Sequence, residues 1–239
     1  MNLAIDFGNT CIKLGFFNEN ELLEVKIFER NKFKNIKKYI FKKNIKNIII
    51  SSVVGESEIF IKSFIKRNKI IKLETKTKLP VKNLYKTPET LGKDRIASVV
   101  GANFIFPKKN ILVIDIGTCI KYDLINSKNE YLGGNISPGF DMRLKALHNF
   151  TAQLPLVKRK EINNLLGDTT ETSILTGVFN GIKAEVDGII EKYKMKFRDL
   201  KIILTGGDII IFDNRIKNSI FAEPNLVLKG LNIILRFNK

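Results

Sequence analysis

Short apolar runs alternate with glycine-rich or charged turns at the start of the chain, a pattern typical of strands joined by hairpins. Beyond them, apolar residues recur at helical spacing among lysines, and a continuous β-branched run predicts a buried strand. A looser, proline-containing stretch leads to a helix that opens with an acidic residue, which the helix dipole favours. The predicted strands are 2–7, 11–17, 21–28, 45–54 and 70–74, and the predicted helices are 31–43, 56–68 and 94–106.

The pattern breaks at 107–110 and then restarts with three further strand-like runs. Pro138 falls near the first turn of the helix predicted next, a position that proline tolerates. The predicted strands of this half are 111–116, 119–125, 130–137 and 200–207, and its predicted helices are 137–150, 171–194 and 225–236. We therefore predict an α/β protein with two domains, 1–107 and 108–239, each beginning β-β-β and continuing α-β-α.

The length and composition of the chain are sufficient for two domains, each with its own hydrophobic core. The chain has 239 residues, of which 44% are hydrophobic, enough for two domains of ordinary size. No apolar run approaches the roughly 18 residues of a membrane-spanning helix. The opening "MNLAIDFGNT" has an acid at position 6 and lacks the basic and apolar regions of a secretory signal. We expect a cytoplasmic protein without a membrane partner.

The charge is strongly basic, with a formal net value of +17. A basic chain can bind nucleic acid. Here the lysines are spread along the whole length, and within 31–47 they flank Phe33, Ile36 and Ile40 at helical spacing. This spacing favours an amphipathic helix with a solvated lysine face. We expect no nucleic-acid partner, although the charge is compatible with weak attraction of nucleotides.

Histidine and cysteine are scarce. His148 is the single histidine, which argues against a histidine-based triad or a histidine-rich metal site, and we expect it to pack on the apolar side of its helix. Cys11 and Cys119 each follow a glycine turn, and we expect both to be free thiols because nothing indicates a secreted disulfide framework.

Two strand ends carry nearly the same turn. "DFGNT" occupies 6–10 and "DIGT" occupies 115–118. Glycine lets the backbone approach a ligand closely, and exposed N–H groups with a threonine hydroxyl can donate to phosphate oxygens. An aspartate beside phosphate implies a bridging cation such as Mg²⁺. One such turn is usually structural, but two in matching positions, with a third glycine turn "LTGGD" at 204–208, favour a nucleotide site.

These three turns resemble those of the actin-like ATPase superfamily, which includes sugar and acetate kinases. The resemblance implies two ribonuclease-H-like domains with ATP in the cleft between them. A narrower match is to the type III pantothenate kinases, and it runs through most of the chain in the family's order. The matching blocks are "DFGNTCIKLG", "YKTPETLGKDRIASVVGA", "VIDIGTCIKYDLI", "GGNISPGF…ALHNFTAQLP", "GDTTETSILTGVFNGIKAEVDGII" and "ILTGGD".

The resemblance implies ATP-dependent phosphorylation of pantothenate at its 4′-hydroxyl, the first step toward coenzyme A. By the same resemblance, Asp6 holds Mg²⁺, directly or through water, and Asp115 holds a monovalent cation, K⁺ or NH₄⁺. Thr118 matches the ATP-contacting threonine of the second loop. The first phosphate loop, which would bind ATP, comprises Asp6, Phe7, Gly8, Asn9, Thr10, Cys11, Ile12 and Lys13.

The acceptor side of the resemblance centres on "GKDR". Asp94 matches the catalytic base and Arg95 a position that binds the pantothenate carboxylate. From the residues alone, Asp94 could equally cap the following helix, and Arg95 could form a salt bridge or lie on a solvated face. The implied pantothenate contacts are Tyr85, Gly92, Lys93, Asp94, Arg95 and Thr170. Tyr85 could instead be a half-buried loop aromatic, and Thr170 the cap of the long helix.

The second loop departs from the family pattern. Cys119 and Lys121 stand where small or hydroxyl residues often follow the second Gly-Thr. Lys121 could point into solvent or toward the nucleotide, where it would change ATP affinity.

Two other functions are compatible with parts of the sequence. One is a kinase of the same fold with a sugar acceptor, against which the "GKDR" block with Tyr85 argues. The other is a non-enzymatic nucleotide-binding regulator that binds nucleic acid, against which the retained Asp94 argues. The family resemblance also implies a homodimer, for which apolar segments such as "SILTGVFNGI" at 173–182 offer a surface.

Overall fold

The computed structural model describes residues 1–30, 33–52, 69–160, 162–209 and 220–239. Two β-sheets with helices packed against them make up this part of the chain. The strands are β1 Asn2–Phe7, β2 Cys11–Asn18, β3 Glu21–Glu29, β4 Asn47–Ser52, β5 Lys69–Lys72, β6 Lys82–Asn83, β7 Ile111–Ile116, β8 Cys119–Ile125, β9 Glu130–Pro138, β10 Lys201–Thr205 and β11 Phe221–Ala222. The helices are α1 Phe33–Phe41, α2 Lys93–Ile105, α3 Phe140–Asn149, α4 Thr170–Lys196 and α5 Leu226–Phe237.

The first sheet has the strand order β3-β2-β1-β4-β5. β1 pairs antiparallel with β2 and parallel with β4, so that Asp6 lies in register between Lys13 and Ser51. β1 is buried along its whole length, as expected for a central strand covered on both faces. Its alternate residues Leu3, Ile5 and Phe7 join a core that includes Ile36 and Ile40 of α1.

α5 packs against α2 and against β1, β2 and β4. Buried apolar residues, among them Leu228, Leu231 and Leu235, line the packed face of α5. Asn2 donates from its side-chain amide to the Asn232 side-chain oxygen at 3.0 Å, which ties this helix to the first strand. The end of the described chain therefore completes the layer that covers the first sheet.

The second sheet runs β11-β10-β7-β8-β9, with β10 parallel to both β7 and β11. Its core combines residues of β7, β8 and β10 with one face of α4. α4 begins with a capping box: the Thr169 hydroxyl accepts from the Thr172 N–H, and the Thr172 side chain accepts from the Thr169 N–H. At the start of β9, residues 130–131 pair with β6, the sixth strand of this sheet.

The chain folds as two compact units. The first comprises 1–108, 125–133 and 225–239, and the second comprises 109–124 and 134–224. The predicted break at 107–110 falls where the opening segment of the first unit ends. The units differ from the linear division into 1–107 and 108–239, because α5 and the tips of β8 and β9 belong to the first unit.

Most predicted elements agree with the structure to within a few residues, and the mixed α/β class is confirmed. Pro138 was misplaced: it is the last residue of β9, and α3 begins two residues later. His148 was also misplaced, since it is exposed and its Nδ1 lies 2.8 Å from the Leu154 carbonyl oxygen. The helix predicted at 56–68 lies outside the described residues.

Cys11 and Cys119 are free thiols, as predicted. Among the residues that the structure describes, no helix combines the length and the apolar character needed to cross a bilayer.

Candidate active site

The first phosphate loop follows β1. Asp6 is almost buried near the end of this strand, and the chain turns at Gly8, whose N–H donates to the Cys11 carbonyl oxygen at 3.1 Å. Asn9 and Thr10 form the exposed tip of the turn, and Arg30 donates to the Asn9 carbonyl oxygen at 3.4 Å. The loop therefore presents polar groups at its tip with a carboxylate at its base.

The second loop follows β7 in the same manner but is one residue shorter. The Gly117 N–H donates to the Cys119 carbonyl oxygen at 3.1 Å, and Thr118 is exposed. The Gly139 N–H, just before α3, donates to the Thr118 carbonyl oxygen at 3.1 Å. A Cβ at position 139 would lie 2.0 Å from the Gly117 carbonyl oxygen. Glycine is thus required there for α3 to begin directly against the loop.

The third turn, at the end of β10, lies beside the second loop. Thr205 pairs in register with Asp115. Gly206 has φ +108°, and a Cβ there would lie 2.2 Å from the Ile116 carbonyl oxygen and 2.6 Å from Asp115 Oδ1. The Asp208 N–H donates to the Ile116 carbonyl oxygen at 3.1 Å. The structure thus brings Asp115 and the T-G-G turn together within the second unit.

Arg159 fixes the far side of the same turn. It donates to both carboxylate oxygens of Asp208, at 2.6 and 2.8 Å, and its guanidinium lies 4.7 Å from the centre of the Phe140 ring. The hydrogen bonds to Asp208 raise the pKa of Arg159, against the opposing effect of its burial. Sequence reasoning missed Arg159, because it lies in an irregular segment without a motif.

Lys121 forms an ion pair with Asp115. Lys121 Nζ lies 2.6 Å from Asp115 Oδ2, and the two side chains are only 18% and 16% exposed. Of the two orientations that the sequence left open for Lys121, the one into solvent is therefore wrong. The ammonium lies on the carboxylate that the resemblance assigned to a monovalent cation.

Asp94, which the resemblance assigned to the acceptor site, is the second residue of α2. The N-cap of this helix is Gly92, without a side-chain cap, so the alternative that Asp94 caps the helix is wrong. An ideal Cβ on Gly92 would lie 2.6 Å from Asp94 Oδ1, which shows that the carboxylate folds back over Gly92. The N-terminal end of a helix favours a negative charge at this position.

Arg95 and Tyr85 lie together in the first unit. Arg95 is 5% exposed, so the solvated-face alternative is wrong. Its guanidinium lies 5.5 Å from the centre of the half-buried Tyr85 ring, and Tyr85 stacks on Tyr131 with centroids 6.0 Å apart. The Tyr85 N–H also donates to the Asn83 side chain at 3.0 Å. This stack holds the Arg95 guanidinium in a defined orientation.

Thr170 lies in the second unit, at the first position of α4. The cap of that helix is Thr169, so the alternative that Thr170 is the cap is wrong. Thr170 lines a cavity of about 1160 Å³ beside α3 and the start of α4, together with Arg143 and several apolar side chains. A cavity of this kind suits a small molecule or an apolar segment.

A half-buried polar cluster in the second unit was also missed. Glu185 accepts from Tyr122 at 2.8 Å, from Ser137 at 2.5 Å and from Arg143. Burial opposes ionisation of Glu185, but these hydrogen bonds hold its pKa below the ordinary value. Burial and the bond to Glu185 raise the pKa of Tyr122. The cluster positions Arg143, which lines the cavity.

Carboxylate clusters that could hold a metal by themselves are not found in the described residues, where no group of three or more histidine, cysteine or acidic side chains converges. Asp6 offers one carboxylate at the loop base. That donor set fits Mg²⁺ as proteins hold it beside a nucleotide, through one or two carboxylates with water and phosphate oxygens.

Solved structures with this fold include several sugar kinases. An inorganic polyphosphate/ATP-glucomannokinase from Arthrobacter sp. strain KM aligns with a TM-score of 0.55 and 12% identity, covering 99% of this chain and 98% of that one. A Baf family protein from Campylobacter jejuni, described as a transcriptional activator, aligns with a TM-score of 0.64 and 22% identity over 99% and 98%. At 12–22% identity these likenesses show that the chain has the fold of these proteins.

The family is settled by sequence similarity. The family model described as type III pantothenate kinase matches residues 2–192. The type III pantothenate kinase of Christiangramia forsetii is 50% identical over 241 residues, which cover 100% of this chain and 99% of the relative. The chain belongs to the type III pantothenate kinase family.

Proposed function

We propose that the protein transfers the γ-phosphoryl group of ATP to the 4′-hydroxyl of pantothenate and releases 4′-phosphopantothenate and ADP. This reaction is the first step of coenzyme A synthesis. The observation that carries the proposal is the joint presence of two glycine phosphate loops and the Asp94–Arg95 pair at the start of α2. The family match supports the same acceptor.

The two loops bind ATP in this proposal. The exposed tip residues Asn9 and Thr10 and the exposed Thr118 donate to phosphate oxygens. Asp6 would hold Mg²⁺, directly or through water, and the ion would supply positive charge beside the phosphates. The transition state is loose, so the residues contribute mainly by positioning groups and stabilising charge.

The acceptor site is assigned to the start of α2 and the residues around it. Asp94 orients the 4′-hydroxyl and accepts its proton late in the transfer. The planar guanidinium of Arg95, oriented by Tyr85, suits the pantothenate carboxylate. Gly92 and Lys93 frame this site, and Thr170 contributes a further hydroxyl contact to pantothenate.

The assignment of a monovalent cation to Asp115 stays a prediction from the resemblance. Lys121 competes for the same carboxylate at 2.6 Å.

An ADP-release assay with a panel of acceptors tests the activity. We expect turnover with pantothenate and none with hexoses. Turnover with a hexose but not with pantothenate would instead identify a sugar kinase of this fold.

Asp94→Asn tests the base. Asparagine keeps the shape of the side chain but cannot accept the proton, so we expect turnover to fall by more than about a hundredfold, with the same thermal unfolding midpoint. Asp199→Asn is the matched control, because Asp199 is exposed and has φ +52°, a conformation that asparagine also adopts. Unchanged turnover in Asp94→Asn would leave that residue without a role in the chemistry.

We also place the enzyme in the cytoplasm as a homodimer that binds neither membrane nor nucleic acid. Three apolar side chains of the second unit, Phe150, Leu165 and Leu166, are more than 80% exposed. Such exposure is typical of surfaces that associate. The dimer is therefore assigned to this unit.

A further inference from the structure

A lysine of the chain itself, Lys121, places a positive charge beside the second loop. Asp115 and Lys121 lie on the neighbouring strands β7 and β8, on either side of the Gly117–Thr118 turn. Their contact of 2.6 Å has the length of a charge-assisted hydrogen bond. Both side chains are mostly withdrawn from water, where an unpaired ammonium would be costly and a paired one is retained.

Both oxygens of the Asp115 carboxylate have close neighbours. Oδ2 meets the Lys121 ammonium. Oδ1 faces Gly206. A Cβ added to this glycine would lie 2.6 Å from Oδ1. The carboxylate is therefore enclosed between a lysine and the backbone of the T-G-G turn.

These surroundings do not fit a bound alkali ion. Such an ion needs several oxygens to replace its hydration shell, and the ammonium already occupies one oxygen of the carboxylate and repels a second cation. Within the described residues, Asp115 belongs to no group of three or more histidine, cysteine or acidic side chains that could hold a metal. The residues present conflict with the K⁺ or NH₄⁺ assigned to Asp115.

We infer that the Lys121 ammonium takes the place of the monovalent cation at the second phosphate loop. It provides a fixed positive charge on Asp115, at the base of the loop where the proposed function places ATP phosphates, and this inference rests on that proposed function. Lys121 is a positioning and charge-stabilising residue, and it makes the enzyme independent of K⁺ and NH₄⁺. A fixed charge needs no reorganisation and no binding step.

Cation dependence of the wild-type enzyme is the first test. ADP release is measured in KCl, NH₄Cl, NaCl and tetramethylammonium chloride at one ionic strength. Because ionic strength is constant, screening is equal in all four salts, and we expect rates that differ by less than about twofold. A wild-type enzyme that requires K⁺ or NH₄⁺ would overturn the inference.

Lys121→Met is the second test, since methionine keeps an unbranched side chain but removes the charge. We expect kcat/KM for ATP to fall at least about tenfold in tetramethylammonium chloride. Added K⁺ or NH₄⁺ should restore most of the lost activity, and the recovery should saturate as the ion concentration rises. Lys194→Met is the matched control: it removes a lysine from an exposed ion pair with Glu191 in the same unit and should change nothing. Loss without rescue by either ion would contradict the inference.

Lys121→Arg keeps the positive charge. It keeps the inference testable if the methionine variant fails to fold. We expect it to stay indifferent to K⁺, whereas a gain of K⁺ dependence in Lys121→Arg would contradict the role of the charge.

ATP binding gives a readout that does not depend on the acceptor. Calorimetric titration with MgATP should show the same affinity for the wild type in K⁺ and in tetramethylammonium, and a K⁺-dependent affinity for Lys121→Met. If pantothenate is not phosphorylated but this binding pattern appears, the proposed acceptor fails and the role of Lys121 stands. Equal ATP affinity of Lys121→Met in both salts would overturn the inference on its own.

Discussion

At the residue scale, Gly206 shows how tightly the T-G-G turn packs against Asp115 and the end of β7. Its positive φ and its approach to the Ile116 carbonyl oxygen and Asp115 leave no space for a side chain. The backbone conformation and the lack of space thus both require glycine at this position. The same turn is held by the ion pair between Arg159 and Asp208. The position of Asp115, and of the ammonium upon it, therefore depends on the absence of a Cβ at 206.

Gly206→Ala should destabilise the protein, because alanine is strained at φ +108° and its Cβ would lie 2.2 Å from a backbone oxygen. We expect the free energy of unfolding in urea to fall by about 1–3 kcal/mol. Gly207→Ala is the neighbouring control, since a Cβ there meets nothing within 4 Å. Equal stability of the two variants would show that the turn relaxes freely.

At the element scale, the Glu185 cluster joins four elements of the second unit: β8 through Tyr122, β9 through Ser137, α3 through Arg143 and α4 through Glu185 itself. The pKa of Glu185 is lowered in the folded state. A lowered carboxyl pKa stabilises the fold above the unfolded value of about 4.3, and this stabilisation is lost as the pH falls through the folded value.

Glu185→Gln should therefore cost stability at pH 7 and cost less at pH 3, which lies below the unfolded value of about 4.3. Urea unfolding of both proteins at the two pH values measures this difference. Glu191→Gln, at an exposed ion pair farther along α4, should show almost no effect at either pH. A Glu185→Gln deficit of the same size at pH 3 and pH 7 would show that its charge is irrelevant.

The elements themselves were largely predictable from sequence. Both faces of a central strand are covered, so β1, β7 and β10 are largely apolar. The first and last residues of such a strand can be predicted from where the apolar run begins and ends. Pro138 was misassigned because proline suits a strand end as well as a first helical turn. The helical spacing of α5 predicted its bounds closely, but an amphipathic face does not say which unit it covers.

The site was predictable only where chemistry lies within a motif. Asp6, Asp115 and the T-G-G turn stand next to glycines in the sequence, and the structure brings Asp115 and that turn together. The Lys121–Asp115 ion pair forms because β7 and β8 are neighbours in the sheet. The Arg159–Asp208 ion pair joins residues that are far apart in the chain. No local pattern contains such contacts.

At the scale of the whole molecule, the exposed apolar side chains of the second unit predict self-association. Replacing Leu165 and Leu166 together by glutamate should shift the protein from dimer to monomer, because charge at an apolar contact is costly to bury. Light scattering after size exclusion gives the mass directly. Met195→Glu changes an equally exposed side chain at the far end of α4 and should leave the mass unchanged. A monomeric wild type would contradict the dimer.

The return of α5 to the first unit has a consequence for biosynthesis. Residues 1–108 leave the ribosome before 225–239, so their sheet lacks its covering helix α5 until that last segment has been made. Domains usually fold as units during synthesis, so the second unit, at 109–124 and 134–224, can finish before the first. Until 225–239 emerge, the nascent chain exposes apolar surface of that sheet, and such surface makes a folding intermediate prone to aggregation.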